Sequence, residues 1–154
     1  MNDEIIKDEM NRDQRDFYQN MRKQIHAYLK RKNFKHAELL MLAPDFFHLL
    51  VKLSLDSRVP NDKKVKFAAG VAYFIMPIDF LPEAILGPIG YMDDLAVAAY
   101  ILNDYLNNND PDIIYEHWAG EGDVLASIQN IATTANYFLG EGLWTRIKKK
   151  FSQF

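Results

Sequence analysis

The sequence predicts an all-α protein, because apolar residues recur at helical steps of three and four along most of the chain, and strand-like alternation is almost absent. Pro, Gly and Asn cluster in the short stretches that separate these periodic segments. The length of 154 residues, with 49% apolar and 25% charged residues, is typical of one globular domain with its own core. We therefore predict a single compact multi-helix bundle over residues 1–154.

The first half of the predicted bundle begins with three helices. Residues 11–32 carry one apolar stripe on a polar background rich in helix-forming residues. A second helical piece, 35–42, is broken by Pro44, which then suits the first position of a third helix over 45–55. The stretch 56–61 has the composition of a turn. The apolar stripe of the first helix consists of Phe17, Met21, Ile25, Tyr28 and Leu29.

The rest of the chain predicts five further helices. Asn61 or Asp62 is placed to cap the first of these, which runs until Pro77. Pro111 suits the start of a short helix, and Asp123 is placed to cap the helix that follows it. The predicted helices after Pro77 cover 91–106, 111–118, 124–139 and 143–154.

Two of these helices are expected to pack unusually closely, since the segments 67–72 and 95–99 are both rich in small side chains. Gly70 would weaken the first helix by about 1 kcal/mol relative to Ala, so we expect a packing reason for it. The longest uncharged apolar run, 67–78, is much shorter than the roughly 20 residues that a membrane span needs. The sequence therefore predicts a buried, close-packed helical hairpin rather than a pair of membrane-spanning helices.

The connection between these two helices contains three prolines and two glycines in an apolar context, which indicates a rigid Pro/Gly-rich elbow. It contains the sequence Pro-Ile-Asp-Phe-Leu-Pro-Glu over 77–83 and Gly-Tyr-Met-Asp-Asp over 90–94. With the lead-in at 49–60, this motif resembles the YkvA-like bacterial domain of unknown function over about residues 49–106. The resemblance implies a helical hairpin, often associated with membranes, and no established activity. The motif positions that would shape the elbow are Pro77, Pro82, Gly90 and Tyr91.

Four carboxylates lie at or beside the elbow and permit two interpretations. Asp79 and Glu83 are four residues apart, and Asp93 and Asp94 open the next helix. At the position of Glu83 the related family more often has Asp. Carboxylate oxygens are the ligands that Mg²⁺ and Ca²⁺ prefer, so these residues are a candidate metal site. Alternatively they cap helix ends and interact with a helix dipole, which would stabilise the elbow without a ligand. We favour the structural role, and the sequence indicates no other cofactor.

Charge is distributed unevenly along the chain. Of the 18 Lys and Arg residues, 14 lie in residues 1–66, none lies in 67–145, and four follow, while 11 of the 21 acidic residues lie in the middle segment. The three segments therefore carry net charges of +4, −11 and +4. This pattern predicts a basic face and an acidic face, provided that the fold keeps the segments apart. The acidic middle argues against nucleic-acid binding, because phosphate would be repelled there.

The absence of cysteine excludes disulfide frameworks, thiolate metal sites and cysteine nucleophiles. The polar, acidic first residues do not resemble a signal peptide, which predicts a cytoplasmic protein, either free or peripheral to the membrane. The four histidines lack the spacing of a metal site, so we expect them to be surface or hydrogen-bonded residues.

The last predicted helix, 143–154, is amphipathic and basic. Such a helix can lie on an anionic membrane surface or bind a partner, and each base contributes about 1 kcal/mol near anionic lipid. Alternatively, its apolar stripe docks on the core and its bases lie near the negative end of the helix. The candidate contact residues are Trp144, Arg146, Lys148, Lys149, Lys150 and Phe151.

Two functions are compatible with these patterns. The first is a non-catalytic module that binds an unidentified protein partner or an anionic membrane surface. The alternative is a divalent-cation-dependent enzyme of the hydrolase type, centred on the elbow carboxylates. Because no Lys or Arg lies between residues 67 and 145, phosphate chemistry at the elbow lacks a nearby cation in sequence, and we favour the interaction module.

Overall fold

The structure, a computed structural model, describes residues 11–31, 37–75 and 91–139 together with Lys149. These ranges contain α-helices and no β-strand, which confirms the all-α prediction. The helices are α1 (Arg12–Arg31), α2 (Ala37–Leu40), α3 (Ala43–Leu55), α4 (Asn61–Ile75), α5 (Tyr91–Leu106), α6 (Asp112–His117) and α7 (Val124–Leu139).

Helix α1 begins at a reciprocal pair of hydrogen bonds. The backbone N–H of Gln14 donates to Asn11 Oδ1 at 2.8 Å, and the N–H of Asn11 donates to Gln14 Oε1 at 3.2 Å. This capping box satisfies two N–H groups that the helix itself leaves unpaired. On the inner face, Met21 and Ile25 are buried as the apolar stripe predicts, and Phe17 packs on the core with its ring 5.0 Å from that of Phe47. The stripe therefore attaches α1 to α3.

Helix α3 is buried around almost its whole circumference. It starts at Ala43, two residues before the predicted start, and Pro44 occupies the first turn, where a missing N–H costs no hydrogen bond. Every residue from Ala43 to Leu53 except Asp45 is buried, and the helix packs against α1, α4, α5 and α6. A helix buried on nearly all sides is found inside a bundle, so α3 is the centre of this one.

Helices α4 and α5 form the predicted hairpin. A Cβ atom at Gly70 would lie 3.0 Å from Leu50 Cδ1 and 3.1 Å from Ile101 Cδ1, so the glycine allows α3, α4 and α5 to meet. The expected packing reason for Gly70 is confirmed. At the open end of the hairpin, Lys63 and Lys66 Nζ lie 2.9 Å and 3.0 Å from Asp104 Oδ2.

The segment from α6 to α7 follows the predicted signals. Helix α6 begins after Pro111 and ends at His117. Gly122 has a φ of +76°, a left-handed conformation that only glycine adopts without strain. Asp123 Oδ1 accepts a hydrogen bond from the N–H of Leu125 at 3.1 Å, which confirms Asp123 as the cap of α7.

The buried apolar side chains form one core cluster with members from α1 to α7. Along α5, residues 94–99 are all buried, and the small side chains among them let α5 pack between α4 and α7. None of the helices described has both the length and the apolar character needed to cross a membrane.

Candidate interaction surface

The elbow residues Pro77, Asp79, Pro82, Glu83 and Gly90 lie outside the described residues. The elbow as a cation site or as a structural joint therefore stays a prediction.

The acidic residues that follow the elbow open α5, as predicted. Tyr91 and Asp93 belong to the first turn of α5, but their side chains are outside the described part of the chain. Asp94 is buried, with 8% of its surface exposed. Among the described side chains, no group of three His, Asp or Glu residues is arranged to hold a metal ion.

Of the candidate contact residues in the last predicted helix, only Lys149 lies in the described part of the chain, where it is helical and exposed. Docking on the core and binding to a membrane both remain predictions for this helix. The residues outside the described part are Trp144, Arg146, Lys148, Lys150 and Phe151.

Some of the cations in residues 1–66 are neutralised inside the fold. Lys63 and Lys66 both bind Asp104, a residue of the acidic middle segment. Burial acts to raise the pKa of the Asp104 carboxyl, but hydrogen bonds from the two lysines hold that pKa below its ordinary value. These lysines therefore contribute little to an open basic face, and the charge segregation is less complete than the segment sums suggest.

A second cluster of charges ties the turn after α3 to α6. Asp56 accepts hydrogen bonds from Arg58 Nη2 and from His117 Nε2, both at 2.7 Å, and Arg58 Nη1 lies 3.0 Å from Glu116 Oε2. A carboxylate only accepts, so the Nε2 atom of His117 carries the proton. Hydrogen bonds from Arg58, followed by the one from His117, hold the pKa of Asp56 well below its usual range despite its burial. This Asp56 clasp (Asp56, Arg58, Glu116 and His117) is structural, and it confirms a hydrogen-bonded role for His117.

The outer side of α1 retains an open positive charge. No Asp or Glu occurs from residue 17 to residue 37. Lys23 and Lys30 are exposed, and neither forms an ion pair with a described residue. A shallow groove of about 520 Å³ runs along this side of the helix. We call its lining the α1 basic face, which consists of Gln19, Arg22, Lys23, His26, Ala27 and Lys30.

A deeper cavity of about 350 Å³ shares a wall with the α1 basic face. Arg22 and His26 of α1 line both. The rest of this side pocket is formed by Ile25 of α1, by α2 and the turn after it, by the start of α3 and by the loop between α6 and α7. Its other lining residues are Ile25, Glu38, Met41, Leu42, Pro44, Asp45, Ala119, Gly120 and Glu121.

Asp45, which lines the side pocket, and the buried Tyr18 beside it both have perturbed pKa values. The Tyr18 hydroxyl donates to Asp45 Oδ1 over 3.5 Å, a long hydrogen bond, and the Arg22 guanidinium lies 5.8 Å from the centre of the Tyr18 ring. Burial raises the pKa of Asp45, and the charge of Arg22 opposes that rise only in part. Burial, followed by the Asp45 charge, raises the pKa of Tyr18. These groups fix α1 against α3, and Tyr18 stays protonated at neutral pH.

Sequence reasoning did not identify Tyr18 or Asp45. Tyr18 is fully buried but lies beside the residues that were assigned to the apolar stripe. The sequence gives only a weak indication that Tyr18 is buried, since a tyrosine next to Phe17 is compatible both with the apolar stripe and with a position beside it. Asp45 lies in the first turn of α3, where acids are favoured whatever else they contact, so its position in the sequence does not single it out.

Comparison with known proteins identifies a family segment in the hairpin. The family described as "Protein of unknown function (DUF1232)" matches residues 63–100, which cover most of α4 and the first part of α5. The "Uncharacterized protein ORF9" of Methanothermobacter thermautotrophicus is 30% identical over 78 residues, which are 51% of this chain and 53% of that protein. The chain thus spans about half the length of this curated relative. No solved structure matches the chain. The resemblance to the YkvA-like family is therefore confirmed over residues 63–100, which match the model of this family of unknown function.

Proposed function

We propose that this chain is a non-catalytic interaction module that binds an anionic partner through the α1 basic face. The observation that carries the proposal is the exposed pair Lys23 and Lys30 on a stretch of 21 residues, 17–37, without an acid. The matching family is itself of unknown function, so it adds no activity to this proposal.

The contrast between paired and open cations supports the choice of this face. Lys63 and Lys66 reach an acid inside the fold, whereas Lys23 and Lys30 find none among the described residues. An open cation on a helix keeps its full charge for a partner, and it acts over about a Debye length, roughly 8–10 Å at physiological salt. The side pocket next to this face adds partly exposed apolar surface at Met41.

Three of the described hydroxyl groups make structural hydrogen bonds, which favours a binding role over catalysis. Ser54, Thr133 and Thr134 donate their hydroxyl protons to backbone carbonyls one helical turn earlier, not to a general base. Asp45 of the pocket wall is engaged with the buried Tyr18. These hydroxyl groups and the Tyr18–Asp45 pair are therefore engaged in structural contacts rather than paired as nucleophile and base.

Binding to two anionic probes tests the proposal. The probes are vesicles with and without anionic lipid, measured by co-sedimentation, and poly-glutamate, measured by fluorescence titration. At low salt we expect the unmodified chain to bind at least one anionic probe, and Lys23→Glu with Lys30→Glu to weaken that binding at least about tenfold.

A matched control carries the same change in net charge at other sites. Arg12→Glu with Lys64→Glu places one new acid on α4 and the other in the first turn of α1, about 16 Å along the helix axis from Lys23 and outside the lining of the groove. This control should lose much less binding. Equal losses in both variants, or no binding of either probe by the unmodified chain, would contradict the proposal. Binding to vesicles alone identifies a membrane surface, and binding to poly-glutamate alone identifies an acidic protein.

A further inference from the structure

We propose that the anionic partner of the α1 basic face is a second copy of this chain. Two copies would pair across a two-fold axis at the side pocket, so that Lys23 and Lys30 of each copy face Glu38 and Glu121 of the other. The inference rests on the proposed function, because it names the partner of the same face.

Opposite charges lie in the side pocket and in the adjoining groove, and they do not pair with each other among the described residues of one copy. Glu38 on α2 and Glu121 in the loop before α7 are exposed and line the pocket. Neither glutamate side chain has a hydrogen bond or ion pair within the described part of the chain, and the same holds for Lys23 and Lys30. Arg22 and His26 belong to both the basic groove and the pocket, so the two charged surfaces are continuous.

Such a surface is self-complementary under a two-fold rotation. In a symmetric dimer each contact occurs twice, so a patch with a basic part beside an acidic part can pair each part with its opposite. Met41 lines the side pocket and is 48% exposed. Pairing would cover this apolar side chain and place charged pairs at the rim, the usual arrangement of a protein interface.

The acidic part of the surface is held in place before any partner binds. Trp118 Nε1 donates to the carbonyl of Gly122 at 3.2 Å. The Trp118 ring covers Gly120 so closely that a Cβ there would lie 2.4 Å from ring atom Cζ2. The same ring packs edge-on against Phe46 of α3, with centroids 5.2 Å apart. Glu121 therefore stands on a loop fixed to the core, which reduces the ordering cost of binding.

Sedimentation equilibrium tests the proposal with charge-reversed variants of the full chain. The unmodified chain should dimerise at low salt, and the dimer should weaken as salt rises. Lys23→Glu with Lys30→Glu should weaken dimerisation at least about tenfold, and so should Glu38→Lys with Glu121→Lys, since each creates like-charge contacts twice per dimer. Mixing the two variants should restore a dimer, because each face then meets its opposite. Asp13→Lys with Asp62→Lys is the control for charge reversal elsewhere and should retain the dimer.

Each outcome decides the proposal. A chain that stays monomeric at low salt up to its solubility limit overturns it, and so does a mixture of the two variants that fails to dimerise. If Glu38→Lys with Glu121→Lys dimerises like the unmodified chain, these glutamates are not the surface that the basic face binds. The anionic probes test the proposed function separately, because Glu38→Lys with Glu121→Lys keeps Lys23 and Lys30 and should still bind the probes.

Discussion

Replacing Asp56 by Ala should destabilise the protein strongly, because Asp56 joins the α3–α4 turn to α6. The Asp56 side chain is 7% exposed, and it accepts the backbone N–H of Arg58 at 2.8 Å and His117 Nε2 at 2.7 Å. A hydrogen bond to a charged group contributes about 1.5–3 kcal/mol, and a backbone N–H bond contributes about 0.5–1.5 kcal/mol. We therefore expect Asp56→Ala to lower the free energy of unfolding by about 2–4 kcal/mol, as measured by urea denaturation at pH 7.

Arg58→Ala is the matched control. The Arg58 side chain is 51% exposed, so its ion pairs are screened by water and its removal should cost only a minor part of the Asp56→Ala loss. A double-mutant cycle of Asp56→Ala and His117→Ala should give a coupling of about 1 kcal/mol or more. Coupling near zero, or an Arg58→Ala loss equal to that of Asp56→Ala, would refute the assignment of the stability to the buried contact. Because the pKa of Asp56 is lowered in the fold, its contribution should be complete above the unfolded pKa of about 3.9 and be lost as pH falls below it.

Three further variants test the packing and the pocket wall. Gly70→Ala should lower the free energy of unfolding by about 0–2 kcal/mol, since overpacking costs about 1–3 kcal/mol and the helix gains about 1 kcal/mol. Leu50→Ala removes the nearest contact of the new methyl group, so Gly70→Ala combined with Leu50→Ala should be more stable than Leu50→Ala alone. Gly120→Ala should cost about 1–3 kcal/mol, because the rigid Trp118 ring occupies the space of the new methyl group, and denaturation that matches the unmodified chain would contradict this. Burial raises the pKa of Asp45, so the unmodified fold loses stability as pH rises from about 3.9 through that raised pKa. Asp45→Asn should therefore have a higher free energy of unfolding than the unmodified chain at pH 7, by about 1.4 kcal/mol for each pH unit by which the Asp45 pKa is raised. Below a pH of about 3.9 the two proteins should have equal stability.

The helices were predictable from the sequence because their signals are local. The stripe through Met21 and Ile25, the cap at Asp123 and the proline at the start of α3 each involve residues within a few positions of one another. The close packing at Gly70 was also predictable, since glycine weakens a helix and close packing against a neighbouring helix can offset that cost.

The pairing of charges was not predictable, because it depends on which distant residues the fold brings together. His117 binds Asp56 across 61 positions of the chain, and Lys63 binds Asp104 across 41. The segment sums treat all fourteen early cations alike, but among the described residues Arg58, Lys63 and Lys66 form ion pairs. The α1 basic face is recognisable only once the structure shows which cations are paired and which stay open.

The central position of α3 bears on how the family segment can be studied. Residues 63–100 include Phe67 and Phe74, whose rings are buried, and Phe74 meets Phe47 of α3 at a centroid distance of 5.6 Å. Excised alone, the segment would expose these rings to water and lose a burial free energy of about 1.5–3 kcal/mol for each. A peptide limited to the family match should therefore be unstructured or aggregate, and the smallest autonomous folding unit must extend upstream far enough to include the helix at 43–55.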